Sequence, residues 1–189
     1  RNIGQLKVNF INFSDPKDHK YFLLIGVEFV LKQDAIDLIL QKLANDGFTE
    51  KVTISQDELD TIQEIVSRNL GGSLFQENLI IHIKHTSGKF PEKIKSLLED
   101  EQIFKSTNIS LIIESSIDKT PASSSWISNF DSNGLIINCA KLKIMEEKIW
   151  LKRQLDFLPE KLLPIFGGSI FQNNEANLLG QKNEVALLK

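Results

Sequence analysis

The sequence contains a single cysteine, Cys139, so it can form neither a disulfide within the chain nor a zinc site with several cysteine ligands. It also lacks an uninterrupted apolar stretch of the roughly 20 residues that a membrane-spanning helix needs, and its first residues lack the apolar core of a signal peptide. These absences predict a cytoplasmic protein that has no membrane partner. Cys139 follows an apolar stretch without an obvious catalytic partner, which favours a buried side chain over a nucleophile.

An excess of positive charge is missing as well. The formal net charge is -3 and the isoelectric point is near 5.7, so the chain has no overall basic field of the kind that attracts nucleic acid. A local group of basic residues is formed by Lys141, Lys143, Lys148, Lys152 and Arg153. Glu146 and Glu147 interrupt this group, which favours a solvated face; contact with DNA or an acidic partner is the alternative.

The apolar content is high enough for a sizeable core, at 41% of 189 residues. Apolar stretches of strand length occur at residues 21–25, 52–54, 79–83, 109–113 and 135–137. Segments of helical length separate them, with apolar residues three or four positions apart in 33–43 and 59–66. Alternation of continuous apolar strands with helices predicts an α/β fold, in which helices cover both faces of a parallel sheet.

After residue 138 the pattern changes to helices without strands. Helices are predicted at residues 144–155, 159–166 and 176–188, with a turn at Gly167 and Gly168. We therefore expect an α/β domain over residues 1–138 and a small helical bundle over residues 139–189. A bundle of about fifty residues is marginal by itself, and we expect it to be a truncated domain that depends on its neighbour.

The first apolar strand is followed by residues that partly fit a phosphate-binding loop, G-x-x-x-x-G-K-[ST]. Gly26 and Lys32 are in register with the first glycine and the lysine. Leu31, however, replaces the glycine at which the backbone must approach phosphate, and Gln33 replaces the hydroxyl that holds magnesium. Glu28 adds a negative charge. The pattern predicts a degenerate loop that binds no ATP, and no cofactor is expected.

The polar side chains at the predicted strand ends, which could take part in catalysis, do not form a recognisable catalytic set. His82 and His85 are three apart in a strand, where side chains alternate between faces, so they cannot easily share a metal ion. His85, Glu114, Ser115 and Ser116 offer no nucleophile-base pattern in the sequence. No catalytic or metal-binding residue is predicted. A small-molecule or nucleotide-binding α/β enzyme with a site at the strand carboxyl ends remains the alternative function.

The segment 70–78 contains the pair Leu74 and Phe75, just after two glycines that predict the end of a helix. Two bulky apolar residues at an exposed corner suggest insertion into a pocket of another protein. The alternative is that both side chains fold back into the core. A similar sequence recurs at residues 167–172, but its flanking residues differ, which favours chance similarity.

The chain resembles the delta subunit of the bacterial DNA polymerase III clamp loader, a family whose AAA+-like domain has a degenerate phosphate loop and does not bind ATP. The resemblance extends over most of the chain from residue 21. The matching segments are the strand and loop at 21–26, Ser73-Leu74-Phe75, the strand at 111–114, and the motifs at 125–127, 149–151 and 177–179.

This resemblance implies that Leu74 and Phe75 insert into a pocket of the ring-shaped sliding clamp and help to open it, with Ser73 and Leu70 in the same binding element. Leu70 and Gly72 stand where relatives often have a glutamine and a larger apolar residue.

It also implies no catalysis by this chain itself, within an assembly classed as a DNA-directed DNA polymerase. The other loader subunits would be bound mainly through a collar domain that this chain is expected to stop before. DNA would be contacted indirectly or weakly, and the isolated chain is expected to be a monomer.

Overall fold

The computed structural model describes residues 7–13, 15–16, 19–70, 78–121 and 124–189, and the chain forms two compact units, Arg1–Ala140 and Lys141–Lys189. Within the described residues the first unit contains a six-stranded sheet. Its strands are β1 (Lys7–Asn9), β2 (Tyr21–Ile25), β3 (Glu50–Ile54), β4 (Leu79–His85), β5 (Ile109–Ser115) and β6 (Leu135–Asn138). Their order is β1-β6-β2-β5-β4-β3, and neighbouring strands are parallel throughout.

Helices connect the strands of the first unit. They are α1 (Phe29–Asn45), α2 (Ile62–Leu70), α3 (Glu92–Glu99), α4 (Glu101–Lys105) and α5 (Ser125–Asn133). A 3₁₀ turn, Gln56–Thr61, precedes α2, and the Glu58 side chain accepts a hydrogen bond from the backbone N–H of Ser55 at 3.1 Å. A second 3₁₀ turn, Phe10–Asn12, follows β1.

The two faces of the sheet are covered by different helices. Alternate residues of the strands pack with α2, α3, α4 and α5 in one large cluster, in which the rings of Phe90 and Trp126 stack at 4.7 Å. The intervening strand residues, such as Phe22 and Ile112, are also buried but lie outside this cluster. Since strand side chains alternate between faces, they point to the side covered by the buried stripe of α1.

The predicted parallel sheet with flanking helices is confirmed, because every predicted apolar stretch lies within a strand. Two details differ from the sequence pattern. The three-residue edge strand β1 was not predicted, since three residues are too few to show a periodicity. Helix α1 begins at Phe29 rather than near Gln33, because Val30 and Leu31 already contribute to its buried stripe.

The second unit consists of three helices, α6 (Ile144–Gln154), α7 (Leu163–Asn173) and α8 (Leu178–Leu187). Their shared interior contains Trp150, Leu151, Leu155, Ile170, Leu178 and Val185. The predicted helix at residues 159–166 and the turn at Gly167 and Gly168 were wrong, because α7 continues through both glycines. Pro164 is tolerated in the first turn, where its missing N–H has no helical partner, and the burial of Ile170 overrides the low helix propensity of glycine.

A buried carboxylate joins the helices of this unit. Glu147, only 3% exposed, accepts a hydrogen bond from the backbone N–H of Ala176 at 3.0 Å and another from the side-chain amide of Gln181. The Gln181 amide also donates to the carbonyl of Asn174 at 2.9 Å. These bonds hold the connection between α7 and α8, where Ala176 adopts a positive φ of 60°.

Replacing Gly168 by alanine should stabilise the protein by roughly 0.5–1 kcal/mol, because alanine is the better helix former. A Cβ atom at this position would have no heavy atom within 4 Å, so nothing opposes the change. Urea denaturation of the two proteins measures the difference. Gly180→Ala is the control, since a Cβ there would displace the side chain of Asn177, which caps the start of α8, and this variant should gain no stability. A Gly168→Ala variant that is no more stable than the original protein contradicts the prediction.

In the described part of the chain, no helix has both the length and the apolarity required to cross a lipid bilayer.

Candidate functional site

The connection between β2 and α1 occupies the place where the sequence suggested a phosphate loop. Gly26, Val27 and Glu28 are its only residues. The N–H of Gly26 donates to the carbonyl of Ile117 at 2.8 Å, and the N–H of Glu28 donates to the carbonyl of Cys139 at 2.9 Å. Two backbone donors that a phosphate loop would direct at its ligand are therefore bound to neighbouring segments of the same chain.

Gly26 has a packing role in this arrangement. Its φ of 105° lies in the region that side chains disfavour, and a Cβ there would lie 2.5 Å from the carbonyl carbon of Cys139 and 2.8 Å from the nitrogen of Ala140. In the sequence pattern this glycine is in register with the first glycine of a phosphate loop. The structure supplies a different reason for glycine here, which is the close approach of the segment that follows β6.

The other residues of the predicted degenerate loop lie in α1. Leu31 is fully buried in the core, and Gln33 is half-buried in the second turn of the helix. Lys32 is also buried, and its Nζ donates to the carbonyl of Ser115 at 2.7 Å. The ammonium group is thus held at the end of β5 and is not free to pair with phosphate.

Charges around Lys32 partly compensate for its burial. Burial lowers the pKa of Lys32, and the negative charges of Glu114 and Asp118 oppose that shift. Glu114 itself lies beside His82, with 3.4 Å between Oε2 and Nε2. The neighbouring His82, followed by the positive charges of Lys32 and Lys84, holds the pKa of Glu114 below its usual value against the opposing effect of burial. The cluster is an internal network of charges on the α1 side of the sheet.

Glu114→Gln should destabilise the protein at neutral pH but not in acid. Because the pKa of Glu114 is lower in the folded state than in the unfolded chain, its ionised form stabilises the fold above the unfolded pKa. That contribution is lost as the pH falls through the lowered folded pKa. Urea denaturation of both proteins at a series of pH values measures this, and the difference should shrink towards the acid end. A difference that does not change with pH would mean that the carboxylate charge is not responsible.

A second polar pair lies at the carboxyl end of β4 and β5, on the opposite face. His85 Nδ1 and Ser115 Oγ are 2.8 Å apart, a contact that a hydroxyl nucleophile and its base would make. Ser115 has no exposed surface, however, and His85 is only 2% exposed. The Ser115 hydroxyl also accepts from the N–H of Ile117 at 3.3 Å, and burial lowers the pKa of His85. Because a substrate could not reach this hydroxyl, the pair has a structural role and does not favour the enzyme alternative.

No group of three histidine, cysteine, aspartate or glutamate residues among those described could hold a metal ion. His82 and His85 contact different partners, Glu114 and Ser115, which are neighbours in β5 and therefore face opposite sides of the sheet. Cys139 is buried, and burial raises the pKa of its thiol to about 12, so it is not a nucleophile at neutral pH.

Addition of ATP and magnesium should leave the thermal unfolding midpoint unchanged. A ligand that binds only the folded state raises apparent stability by mass action, but two backbone donors of this loop and the lysine that follows it are occupied within the chain. Differential scanning fluorimetry with increasing ATP, with and without magnesium, measures the effect. An increase that requires both ATP and magnesium would show that the loop rearranges into a nucleotide site.

Three of the four residues predicted to bind a partner, Ser73, Leu74 and Phe75, lie outside the residues that the structure describes. The fourth, Leu70, is the last residue of α2. It is half-buried and packs against the main core, so its side chain supports the end of the helix. The structure thus gives Leu70 a packing role and describes no contact among the four.

The residues on either side of this segment are fixed to the first unit. The carbonyl of Asn69 accepts a hydrogen bond from the Asn108 side chain at 3.1 Å, and the side chain of Asn78 donates to the carbonyl of Gly47 at 3.2 Å. A shallow groove of about 270 Å³ lies beside the end of α2, and Ile65 and other residues of the first unit line it. Asn69 and Asn78, which lie on either side of residues 71–77, are therefore held by hydrogen bonds within the first unit. Sequence reasoning missed these asparagines, because side-chain bonds to distant carbonyls leave no periodic signal.

The sequence matches the family model described as DNA polymerase III, delta subunit, over residues 22–140. The chain belongs to this family. The match covers the sheet unit from β2 to the end of β6 and includes both the Gly26 loop and the segment that contains Leu74 and Phe75. The resemblance to the delta subunit in the sequence is thereby confirmed. No curated protein sequence matches the chain.

The fold is shared with a solved structure. The DNA clamp loader delta protein of Bacillus subtilis is similar with a TM-score of 0.62 and 16% identity, over 90% of this chain and 52% of that one. This chain thus spans about half the length of the B. subtilis protein, and the likeness shows an AAA+-like fold. RIF2 of Saccharomyces cerevisiae (TM-score 0.45, 15% identity, 85% of this chain, 66% of that one) is more distantly similar. So is PCH-2 of C. elegans (TM-score 0.41, 13% identity, 87% of this chain, 54% of that one).

Proposed function

We propose that this delta-family chain binds the sliding clamp of DNA polymerase III through Leu74 and Phe75 and helps to open the ring, without hydrolysing ATP itself. The observation that carries the proposal is the delta-subunit family match over residues 22–140. The fold shared with the B. subtilis clamp loader delta protein supports it.

Ring opening by this chain would need no catalysis. If Leu74 and Phe75 bind the open form of a clamp interface more tightly than the closed form, binding itself shifts the equilibrium towards the open ring. The shift cannot exceed the difference between the free energies of binding to the open and closed forms. Insertion of both side chains makes that difference larger than insertion of one. Two adjacent apolar anchors of this kind would form the hot spot of the interface.

The surroundings of the segment are consistent with such a role. Asn69 and Asn78 are anchored by hydrogen bonds to other parts of the sheet unit. A binding element attached to a rigid support loses less conformational entropy when it binds. The tight Gly26 loop and the engaged Lys32 support a subunit that has kept the ATPase-like fold without the nucleotide.

We propose that the chain acts in the cytoplasm and has three kinds of partner. The sliding clamp is bound directly, other clamp-loader subunits are bound as well, and DNA is contacted indirectly or weakly. In isolation the chain is proposed to be a monomer, which sedimentation at several protein concentrations would test.

The direct test is binding of this chain to its cognate sliding clamp immobilised on a surface. We expect saturable binding, and release of the clamp from nicked circular DNA if the fragment alone also opens the ring. A folded chain that does not bind the clamp would overturn the proposed function and leave only the family membership. Binding without release would limit the role of this fragment to clamp capture.

A further inference from the structure

The helical unit contains a groove that the clamp-binding role does not use. It lies between α6 and α7, has a volume of about 640 Å³, and is formed by residues of the second unit alone. Leu151 and Leu155 of α6 are buried at its floor. Pro164 and Phe171 of α7 form the other side. A concave, mostly apolar surface of this size is typical of a binding site.

Lysines surround this apolar floor. Lys148 and Lys152 lie one turn apart on α6, and Lys161 lies in the connection that leads to α7. Glu160 is the one acidic residue among the described residues of the lining, which leaves the rim with two net positive charges. Among the described residues no carboxylate forms an ion pair with these three lysines.

The lysine side chains bring both apolar surface, through their methylene stems, and positive charge to the groove. The Nζ of Lys148 lies 4.9 Å from the centre of the Phe171 ring, so a cation and an aromatic face occur together at the edge of the groove. Lysine stems cover apolar surface while their charged ends stay in water. An apolar floor with lysines at its edge suits a ligand that has an apolar group in its centre and negative charges on either side of that group.

The two glycines of α7 keep the groove open. Gly167 and Gly168 both line it, and a Cβ at Gly168 would meet no heavy atom within 4 Å. At Gly167 the nearest atom would be Leu155 Cδ1 at 3.6 Å, which is an ordinary contact. Folding therefore does not require glycine at either position, and helix propensity disfavours it. A side chain at these positions would take up space in the groove.

We propose that this groove binds an acidic segment of a partner protein, with a bulky apolar side chain of that segment inserted between α6 and α7. The unpaired lysines select negative charge, the leucines and Phe171 receive the apolar side chain, and the glycine pair leaves room for it. The residues that line the groove do not include Leu74 or Phe75, and binding of the acidic segment does not depend on clamp binding.

The test uses the full chain and a short fluorescein-labelled peptide that is rich in glutamate and has a central phenylalanine. A peptide with lysine in place of every glutamate is the control. We expect fluorescence anisotropy to show salt-sensitive binding of the acidic peptide and none of the basic one. Equal binding of both peptides would overturn the proposal.

Variants locate the site. Gly168→Leu places a side chain in the open space of the groove. The double variant Lys148→Glu, Lys152→Glu reverses the charge at the rim. Each of these variants should bind the peptide at least tenfold more weakly. The charge-matched control is Lys119→Glu with Lys141→Glu, two exposed lysines outside the groove, and it should bind normally. Unchanged affinity in Gly168→Leu, with folding verified by circular dichroism, would contradict the proposal.

A competition experiment distinguishes whether the groove binds an acidic protein segment or nucleic acid. Unlabelled double-stranded DNA should not displace the acidic peptide, and displacement would mean that the lysines bind phosphates instead. The double alanine variant of Leu74 and Phe75 should bind the peptide normally, and Gly168→Leu should bind the sliding clamp normally. Weaker peptide binding by the first variant, or weaker clamp binding by the second, would show that one surface binds both ligands. Either result would overturn the proposal of an independent groove.

Discussion

Replacing both Leu74 and Phe75 by alanine should abolish measurable binding to the sliding clamp. Burial of a leucine or phenylalanine side chain contributes about 1.5–3 kcal/mol, so loss of the two should remove roughly 3–6 kcal/mol. That corresponds to an affinity weaker by about a hundredfold to ten-thousandfold. Surface binding of the clamp to the original chain and to the double variant measures the difference, with circular dichroism as the check on folding.

The chain offers a matched control for this experiment. The sequence Gly-Gly-Ser-Ile-Phe at residues 167–171 repeats the pattern of residues 71–75 but lies within helix α7. Phe171→Ala should therefore leave clamp affinity unchanged. Leu70→Ala should lower the stability of the fold more than it lowers clamp affinity, since Leu70 packs against the core. Normal clamp binding by a folded Leu74→Ala, Phe75→Ala double variant would contradict the proposed function.

Gly26→Ala should be among the most destabilising single substitutions in the protein. The residue has a φ of 105°, and an added Cβ would lie 2.5 Å from the carbonyl carbon of Cys139, a backbone atom that cannot move aside cheaply. Backbone strain contributes about 1–3 kcal/mol, and steric overlap in a packed region about the same again. We expect a loss of about 3 kcal/mol or more in the free energy of unfolding, measured by urea denaturation.

Gly88→Ala separates the two causes. Gly88 also has a positive φ, 85°, but a Cβ there would meet no atom within 4 Å, so its substitution should cost only about 1 kcal/mol. Similar losses at the two positions would mean that packing against the segment after β6 contributes little. Neither substitution should create ATP binding, because Lys32 stays bound to the carbonyl of Ser115.

Much of the fold could be predicted because it depends on local patterns. Five of the six strands in the described part of the chain contain an apolar stretch that the sequence shows, and the parallel sheet follows from the alternation of these stretches with helical segments. Helix α7 could not be predicted in this way, since two glycines normally end a helix and only the buried interior around Ile170 explains why this one continues.

The sequence by itself determined the parallel sheet, the absence of a complete phosphate-binding motif, and the delta-family resemblance that points to Leu74 and Phe75, because each depends on residue type and spacing. Tertiary structure alone decided why Gly26 is glycine, where the charge of Lys32 is held, and that Ser115 and His85 meet out of reach of any substrate. It also placed the leucines and lysines of the α6–α7 groove around one cavity. Such features depend on distances between residues far apart in the chain, and no pattern of neighbouring residues encodes them.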